Sequence, residues 1–209
     1  MPVAQSLSPQ RFNLLKGTLF IVSLAPLAAI TYAVLSGNIT EPVEFITRET
    51  GEHALHFLII ILLMTPLRQI TRWNSPIKLR RMFGLFAFFY VFCHFCTYLF
   101  LDLQLDFSLV VDDIIKRKYI TVGFVAFLLL LPLAITSNRF SIKKMGSKRW
   151  TSLHKSIYLI ALLGPLHFLW LERGEDLSEP LTYLVIMIAL LALRAPSLRA
   201  RITRTRKVS

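Results

Sequence analysis

An all-α integral membrane protein, a bundle of six transmembrane helices with both termini in the cytoplasm, is the fold class predicted from three observations. Hydrophobic residues fill 55% of 209 positions and mean hydropathy is +0.58, above what soluble domains carry. The apolar residues collect in six runs, about 14–35, 54–70, 82–103, 119–136, 151–171 and 180–194. Each can cross about 30 Å of hydrocarbon at about 1.5 Å per residue, the second and sixth at the short end. Finally, cations and acids take alternate connections. Runs of this length without alternation read as helices, because only helices or closed barrels satisfy their backbones in lipid.

The first run follows a polar leader carrying Arg11 and Lys16. It lacks a small-residue cleavage pattern and is long enough to span, so it is expected to be retained. The second run, TGEHALHFLIIILLMTPLR, carries His53 and His56 at its outer end. That pair suits a metal or a haem propionate, although such a pair more often serves an interfacial role. The third run, RRMFGLFAFFYVFCHFCTY, holds Tyr90, His94 and Tyr98 at i, i+4, i+8; the spacing makes a polar-edged stripe, or a tyrosine stripe packed as core. Cys93 and Cys96 flank His94 as CHFC, which is not the CxxCH of c-type haem attachment, and both read as small apolar residues. The fourth run is apolar throughout. The fifth, KRWTSLHKSIYLIALLGPLHFLW, holds His154 and His167. Thirteen residues separate them, a rotation of about 220° on an ideal helix. Gly164 and Pro165 lie between; a proline kink could re-aim the outer turn, and Gly164 would leave room for a flat macrocycle or for close helix packing.

Cations gather in the leader, in Arg68 to Arg81, in Arg139 to Arg149 and in the tail from Arg194 to Lys207, whereas Glu41 to Glu52, Asp102 to Asp113 and Glu172 to Glu179 occupy the other connections. The positive-inside rule puts both termini in the cytoplasm, with Lys116, Arg117 and Lys118 as the exception. A net charge of +12 could suit nucleic acid, but these cations sit at helix ends on one side, where membrane lipid is the expected neighbour. Without repeats or low-complexity linkers, residues 1–209 read as one domain.

Orientation gives the histidines depths. From the cytoplasmic face His94 lies about 18 Å in, His154 about 6 Å and His167 about 25 Å. His94 and His167 therefore share the outer half. A membrane histidine serves as an interhelical hydrogen bond, a proton relay, a headgroup contact or a metal ligand. Two imidazoles at one depth on facing helices match bis-axial haem ligation in a bundle core.

The histidine segments 80–98 and 146–170, with 50–68, closely resemble the signatures of the MsrQ family over nearly the whole chain. The resemblance implies a single ferric reductase-like transmembrane domain in the bacterial inner membrane, carrying b-type haem and FMN. It implies electrons drawn from the quinone pool, by quinol or a separate flavoprotein, and passed to MsrP, a periplasmic molybdopterin enzyme that reduces methionine sulfoxide in oxidised proteins. The family's haem histidines fall on His94, His154 and His167, with His94 and His167 axial at an outer site and His154 at a possible inner haem; His53 and His56 match no family ligand. Sixteen residues follow Leu193 and no GxGxxG follows a strand, so no flavin or nicotinamide domain is expected. The outward connections, of roughly 8 to 18 residues, are too short for a catalytic domain. The chain is thus expected to be a non-catalytic electron-transfer subunit; the other reading is a small transporter or proton channel whose histidines relay protons. The charge pattern predicts that a topology reporter after Lys207 or within Lys143 to Lys148 reads cytoplasmic, and one among Glu172 to Glu179 periplasmic; an outward reading at Lys207 reverses the assigned depths.

Overall fold

The computed structural model describes residues 7–194 except 72, 173 and 175. All six apolar runs are helical. In chain order the helices are α1 (Pro9–Leu35), α2 (Pro42–Thr71), α3 (Ser75–Cys96, continued by a π-helical segment Thr97–Asp102), α4 (Phe107–Lys116), α5 (Lys118–Ile135), α6 (Arg139–Met145), α7 (Ser147–His154), α8 (Ile157–Leu171) and α9 (Ser178–Ala192). Among the described residues four helices are long and apolar enough to cross a membrane: α1, α2, α3 with its π segment, and α5. At 15 residues each, α8 and α9 are about 22 Å long, short of the full hydrocarbon thickness.

Three boundaries differ from those expected. The second run begins at 42 rather than 54, because its charged outer turns still have helical spacing: Arg48 reaches Glu52 four residues on, at 2.9 Å. The fifth run is broken. Lys155 N–H is shared between the carbonyls of Thr151 and Ser152, and Ser156 and Tyr158 donate three residues back, to Leu153 and Lys155. That tightening turns the axis between α7 and α8, so a break between His154 and His167 lies here, ahead of Gly164 and Pro165. The third difference is α4, which forms within the connection after the third run. The Ser108 hydroxyl and the Leu109 and Ser108 N–H groups cap its start on Asp106 and hold that carboxyl below the usual carboxylate range. Along it, Lys116 pairs with Asp112 at 2.6 Å and Arg117 with Asp113 at 3.2 Å, so two of the three cations that broke the charge pattern have local acidic partners.

The core is built around α2. Its Leu55, Leu58, Ile61 and Leu62 pack with Met82, Phe83, Phe86 and Ala87 of α3, Ile160 and Ala161 of α8, and Met187 and Leu190 of α9. Four of the apolar helices contain a proline: Pro26, Pro66, Pro132 and Pro165. Each removes a backbone donor that hydrocarbon cannot replace. In α1 the ladder also opens one step beyond the proline, where Tyr90 of α3, which is fully buried, stands between Leu27 and Ser23. Its hydroxyl donates to Ser23 O at 2.8 Å and accepts from Leu27 N–H at 3.3 Å, inserting itself into the ladder beside Pro26. In α2 the Leu62 carbonyl, whose usual donor would be residue 66, receives Arg194 Nη2 at 2.6 Å, and Ile61 O receives the same nitrogen at 3.0 Å.

Arg194 was expected among the cytoplasmic tail cations. It is instead buried at the end of α9, with its guanidinium 5.5 Å from the centre of the Tyr158 ring, because the proline-released carbonyls attract a multidentate donor. The stripe on α3 also divides: Tyr90 serves α1, and Tyr98 donates to Asp113 at 3.2 Å. His94 turns to His167, while the Tyr90 ring lies 5.7 Å from that of His53. Tyr90→Phe should lower stability by about 1 kcal/mol, and Arg194→Met by about 1–3 kcal/mol because it strands buried carbonyls; unfolding of the detergent-solubilised protein in SDS measures both.

Candidate haem site

His94 comes from the C-terminal end of α3 and His167 from the C-terminal half of α8. Their rings lie with centroids 6.1 Å apart and planes at 86°. Each Nδ1 is held by a backbone carbonyl of a different helix: His94 Nδ1 donates to Thr47 O of α2 at 2.8 Å, and His167 Nδ1 to Tyr119 O of α5 at 2.7 Å. A carbonyl only accepts, so both rings must carry the proton on Nδ1 and keep the Nε2 lone pair. Among the described residues neither Nε2 has a protein partner.

This is what metal-ligating imidazoles require: one nitrogen fixed by an outer partner that sets tautomer and ring orientation, the other free. Spacing agrees. Two metal–nitrogen bonds of about 2 Å, with each nitrogen about 1 Å from its ring centre, put the centroids of two axial imidazoles about 6 Å apart. An edge-to-face pair of packed rings also falls in that range, so the two Nδ1 anchors, rather than the separation, distinguish a ligand pair. The residues present therefore fit a haem iron between them.

Two glycines admit the rings. A Cβ on Gly51 would meet His94 Nδ1 at 3.1 Å, and one on Gly123 would meet His167 Nδ1 at 2.8 Å. The pattern repeats: in TRETG and in YITVG the accepting carbonyl is four residues before the glycine, since a ring reaching the carbonyl of one turn passes over the residue one turn on. Thr47, Gly51, Tyr119 and Gly123 were not singled out from sequence. The available signal was a glycine inside each apolar helix, which is costly relative to alanine and asks for a reason. Gly164, by contrast, does not border the histidine pair; its Cβ position lies 3.0 Å from Leu55 Cδ2, so it serves close packing of α8 on α2.

His154 sits apart. Its ring stacks on Trp150, with centroids 3.9 Å apart, and Nε2 lies 3.1 Å from Thr136 Oγ1. That hydroxyl donates its own proton to Pro132 O at 2.6 Å, so His154 carries its proton on Nε2, the opposite tautomer to His94 and His167. To ligate a metal through Nε2 it must release Thr136. Among the described residues no histidine ring stacks on it.

His53 and His56 face each other at 5.5 Å between centroids. His53 Nε2 lies 3.6 Å from Glu49 and His56 Nε2 2.9 Å from the Tyr183 hydroxyl. Among the described residues no cluster of three metal-ligating side chains gathers around them. Cys93 and Cys96 are free, half-buried thiols.

Residues 50–165 match the family described as the ferric reductase like transmembrane component. The span runs from the residue before Gly51 almost to His167. Relatives named as the heme-binding subunit MsrQ of protein-methionine-sulfoxide reductase resemble the chain over most of both lengths. The protein from Herminiimonas arsenicoxydans is 46% identical over 90% of this chain and 87% of its own. Those from Polaromonas naphthalenivorans and Rhodospirillum rubrum are 46% and 44% identical, over 86% and 87% of this chain and 83% and 88% of theirs.

The chain belongs to the MsrQ family.

Membership, with four helices long and apolar enough to span, makes it a multi-pass protein of the bacterial inner membrane. In this MsrQ protein the two glycine contacts can be tested without any cofactor. Gly123→Ala should cost about 1–3 kcal/mol by forcing the His167 ring off Tyr119, whereas Gly84→Ala, with nothing near its Cβ position, should be neutral or stabilising by up to about 1 kcal/mol. Thermal unfolding in detergent measures the difference, and equal effects at both positions would refute the close-approach argument.

Proposed function

We propose that this protein is a haem-binding electron-transfer subunit that crosses the inner membrane six times with both termini in the cytoplasm, its b-type haem held axially by His94 and His167. The observation that carries the reading is the pair of Nδ1 anchors, which leaves two Nε2 lone pairs and no other polar task for them. When bound, the haem supplies a one-electron couple. The chain's own work is to fix both rings before the iron arrives, so that little reorganisation accompanies ligation, and to exclude water from the lipid-facing sides. Raising imidazole basicity through the two carbonyls favours the oxidised iron and so biases the potential downward.

The electrons are proposed to come from the quinone pool, directly or through FMN or a separate flavoprotein, and to leave for an MsrP-like periplasmic molybdopterin enzyme that reduces methionine sulfoxide during repair of oxidised proteins. The outer placement of His94 and His167 supports that direction. His154 fits a second, inner haem less well, because its Nε2 proton is committed to Thr136.

Absorption spectra of the detergent-purified protein test the reading. The wild type should give a reduced b-type haem spectrum that His94→Ala and His167→Ala each lose and that His154→Ala retains at the outer site. Dithionite-reduced protein should remain reduced with methionine sulfoxide until the periplasmic molybdoenzyme is added. A colourless wild type would return the chain to the proton-relay reading.

A further inference from the structure

A groove of about 350 Å³ opens between α2 and α9, at the outer end of the bundle. The site built on His94 and His167 does not use it. Its polar end holds His56, Tyr183 and Glu179, and its walls include Ile59 and Ile186. His56 is exposed on α2 although that helix is otherwise apolar at this level, and an imidazole facing hydrocarbon is a costly placement that asks for a function. Tyr183 is buried and its hydroxyl lies 2.9 Å from His56 Nε2. The volume falls within the range of small-molecule sites, and the lining has their composition, apolar walls with a few convergent polar groups.

Charge selects among amphiphiles. The lining contains one carboxylate, Glu179, and no lysine or arginine. The nearest guanidinium is engaged: Arg48 bridges Glu52 at 2.9 Å and Glu179 at 2.8 Å. A phosphate would meet a carboxylate without a free cation, whereas a neutral aromatic head with hydroxyl groups meets an imidazole, a phenol and two ring faces. A line of rings also leads inward. Centroid separations are 5.6 Å from Tyr183 to His56, 5.5 Å from His56 to His53 and 5.7 Å from His53 to Tyr90, and Tyr90 precedes His94 by one turn of α3.

We infer that this groove binds the head group of a membrane-soluble hydroquinone, with His56 and Tyr183 hydrogen-bonding a ring hydroxyl and Ile59 and Ile186 against the ring and tail. The inference rests on the electron-transfer reading above and deepens it by placing electron entry. Oxidation breaks two O–H bonds and forms the two carbonyls of the quinone, releasing two electrons and two protons. One proton goes to His56 Nε2 as the Tyr183 hydroxyl turns to accept, and the other to the Glu179 carboxylate at the groove's aqueous mouth. The two electrons would leave one at a time toward the iron that His94 and His167 would hold, the second after the first has passed on to the periplasmic molybdoenzyme.

Photolabelling of the purified full-length protein with azido-ubiquinone and azido-naphthoquinone, mapped by peptide mass, reads the groove whether or not haem is present. Label is expected on peptides of α2 and α9 from at least one probe, and Ile186→Trp, which fills the groove from its lipid side, should reduce it about ten-fold or more. In parallel, ubiquinol-1 or menadiol should reduce the haem about ten-fold more slowly in both Ile186→Trp and His56→Leu, while dithionite gives the wild-type spectrum and so shows the variants folded. Label elsewhere in the chain, label undiminished in Ile186→Trp, or a phospholipid expelled by that variant with no quinone label would overturn the groove assignment. Groove labelling in a protein without haem would instead refute the electron-transfer reading and leave the binding site standing.

Discussion

Hydrocarbon offers a peptide no hydrogen-bond partner, and the bundle is organised around that deficit. Pro26 and Pro66 each open a ladder that must close within the protein. Arg194 fills the carbonyl that Pro66 releases, and Tyr90 bridges the Leu27–Ser23 step next to Pro26, each from a distant part of the chain. A local defect thereby becomes a tertiary contact: α3 is tied to α1, and the end of α9 to the middle of α2. The histidine pair uses the same chemistry in reverse. Thr47 O and Tyr119 O already belong to helices, and each lends a second lone pair to an imidazole Nδ1. Backbone carbonyls thus fix both the architecture and the tautomers.

That shared device explains why the two ends of the bundle differ chemically although both contain histidine. At the end holding His94 and His167 the acceptors are carbonyls, which have no proton to give, so the rings keep Nε2 free. At the opposite end the partner of His154 is Thr136, whose hydroxyl proton is already committed to Pro132 O, and the ring must place its proton on Nε2. Tautomer, rather than the mere presence of imidazole, separates the His94–His167 pair, whose Nε2 lone pairs are free, from a histidine in a polar contact. Glycine sets the difference in reach. Gly51 and Gly123 let the outer rings lie against a neighbouring backbone, while His154 lies against a tryptophan face.

The apolar helices were legible because hydropathy is additive along a helix: four of the six runs lie on helices long and apolar enough to span, α1, α2, α3 and α5, while the fifth is divided between α7 and α8 and the sixth lies on the shorter α9. What was not legible depends on partners distant in sequence. The outer turns of α2 are polar by composition and helical through pairs such as Arg48 and Glu52, which a hydropathy window ignores. Arg194 looked like a tail cation because nothing nearby in sequence shows that Pro66 has released a carbonyl 132 residues away. His94 and His167 stood out as costly residues in apolar runs. Their supports did not, since a main-chain acceptor has no side-chain signature and Thr47 and Tyr119 were chosen by position, not by type. Only the glycines left a mark, and Gly164 drew attention that belonged to Gly51 and Gly123.

The support of the outer site also reaches the protein surface. The π segment Thr97–Asp102 follows directly on the turn bearing His94, and it carries Tyr98 to Asp113, which pairs with Arg117 at the junction of α4 and α5. Two residues later Tyr119 presents the carbonyl that holds His167. A π turn places side chains differently from an α turn and is frequent at functional sites. Here it lets α3 grip α4 just where α5 begins, so the anchor of one histidine is braced by residues that extend from the helix of the other. Displacing α4 would therefore act on both rings at once, through Tyr98 on the His94 side and through Tyr119 on the His167 side. The short outer helix, which hydropathy alone dismissed as a connection, is in mechanical terms part of the site.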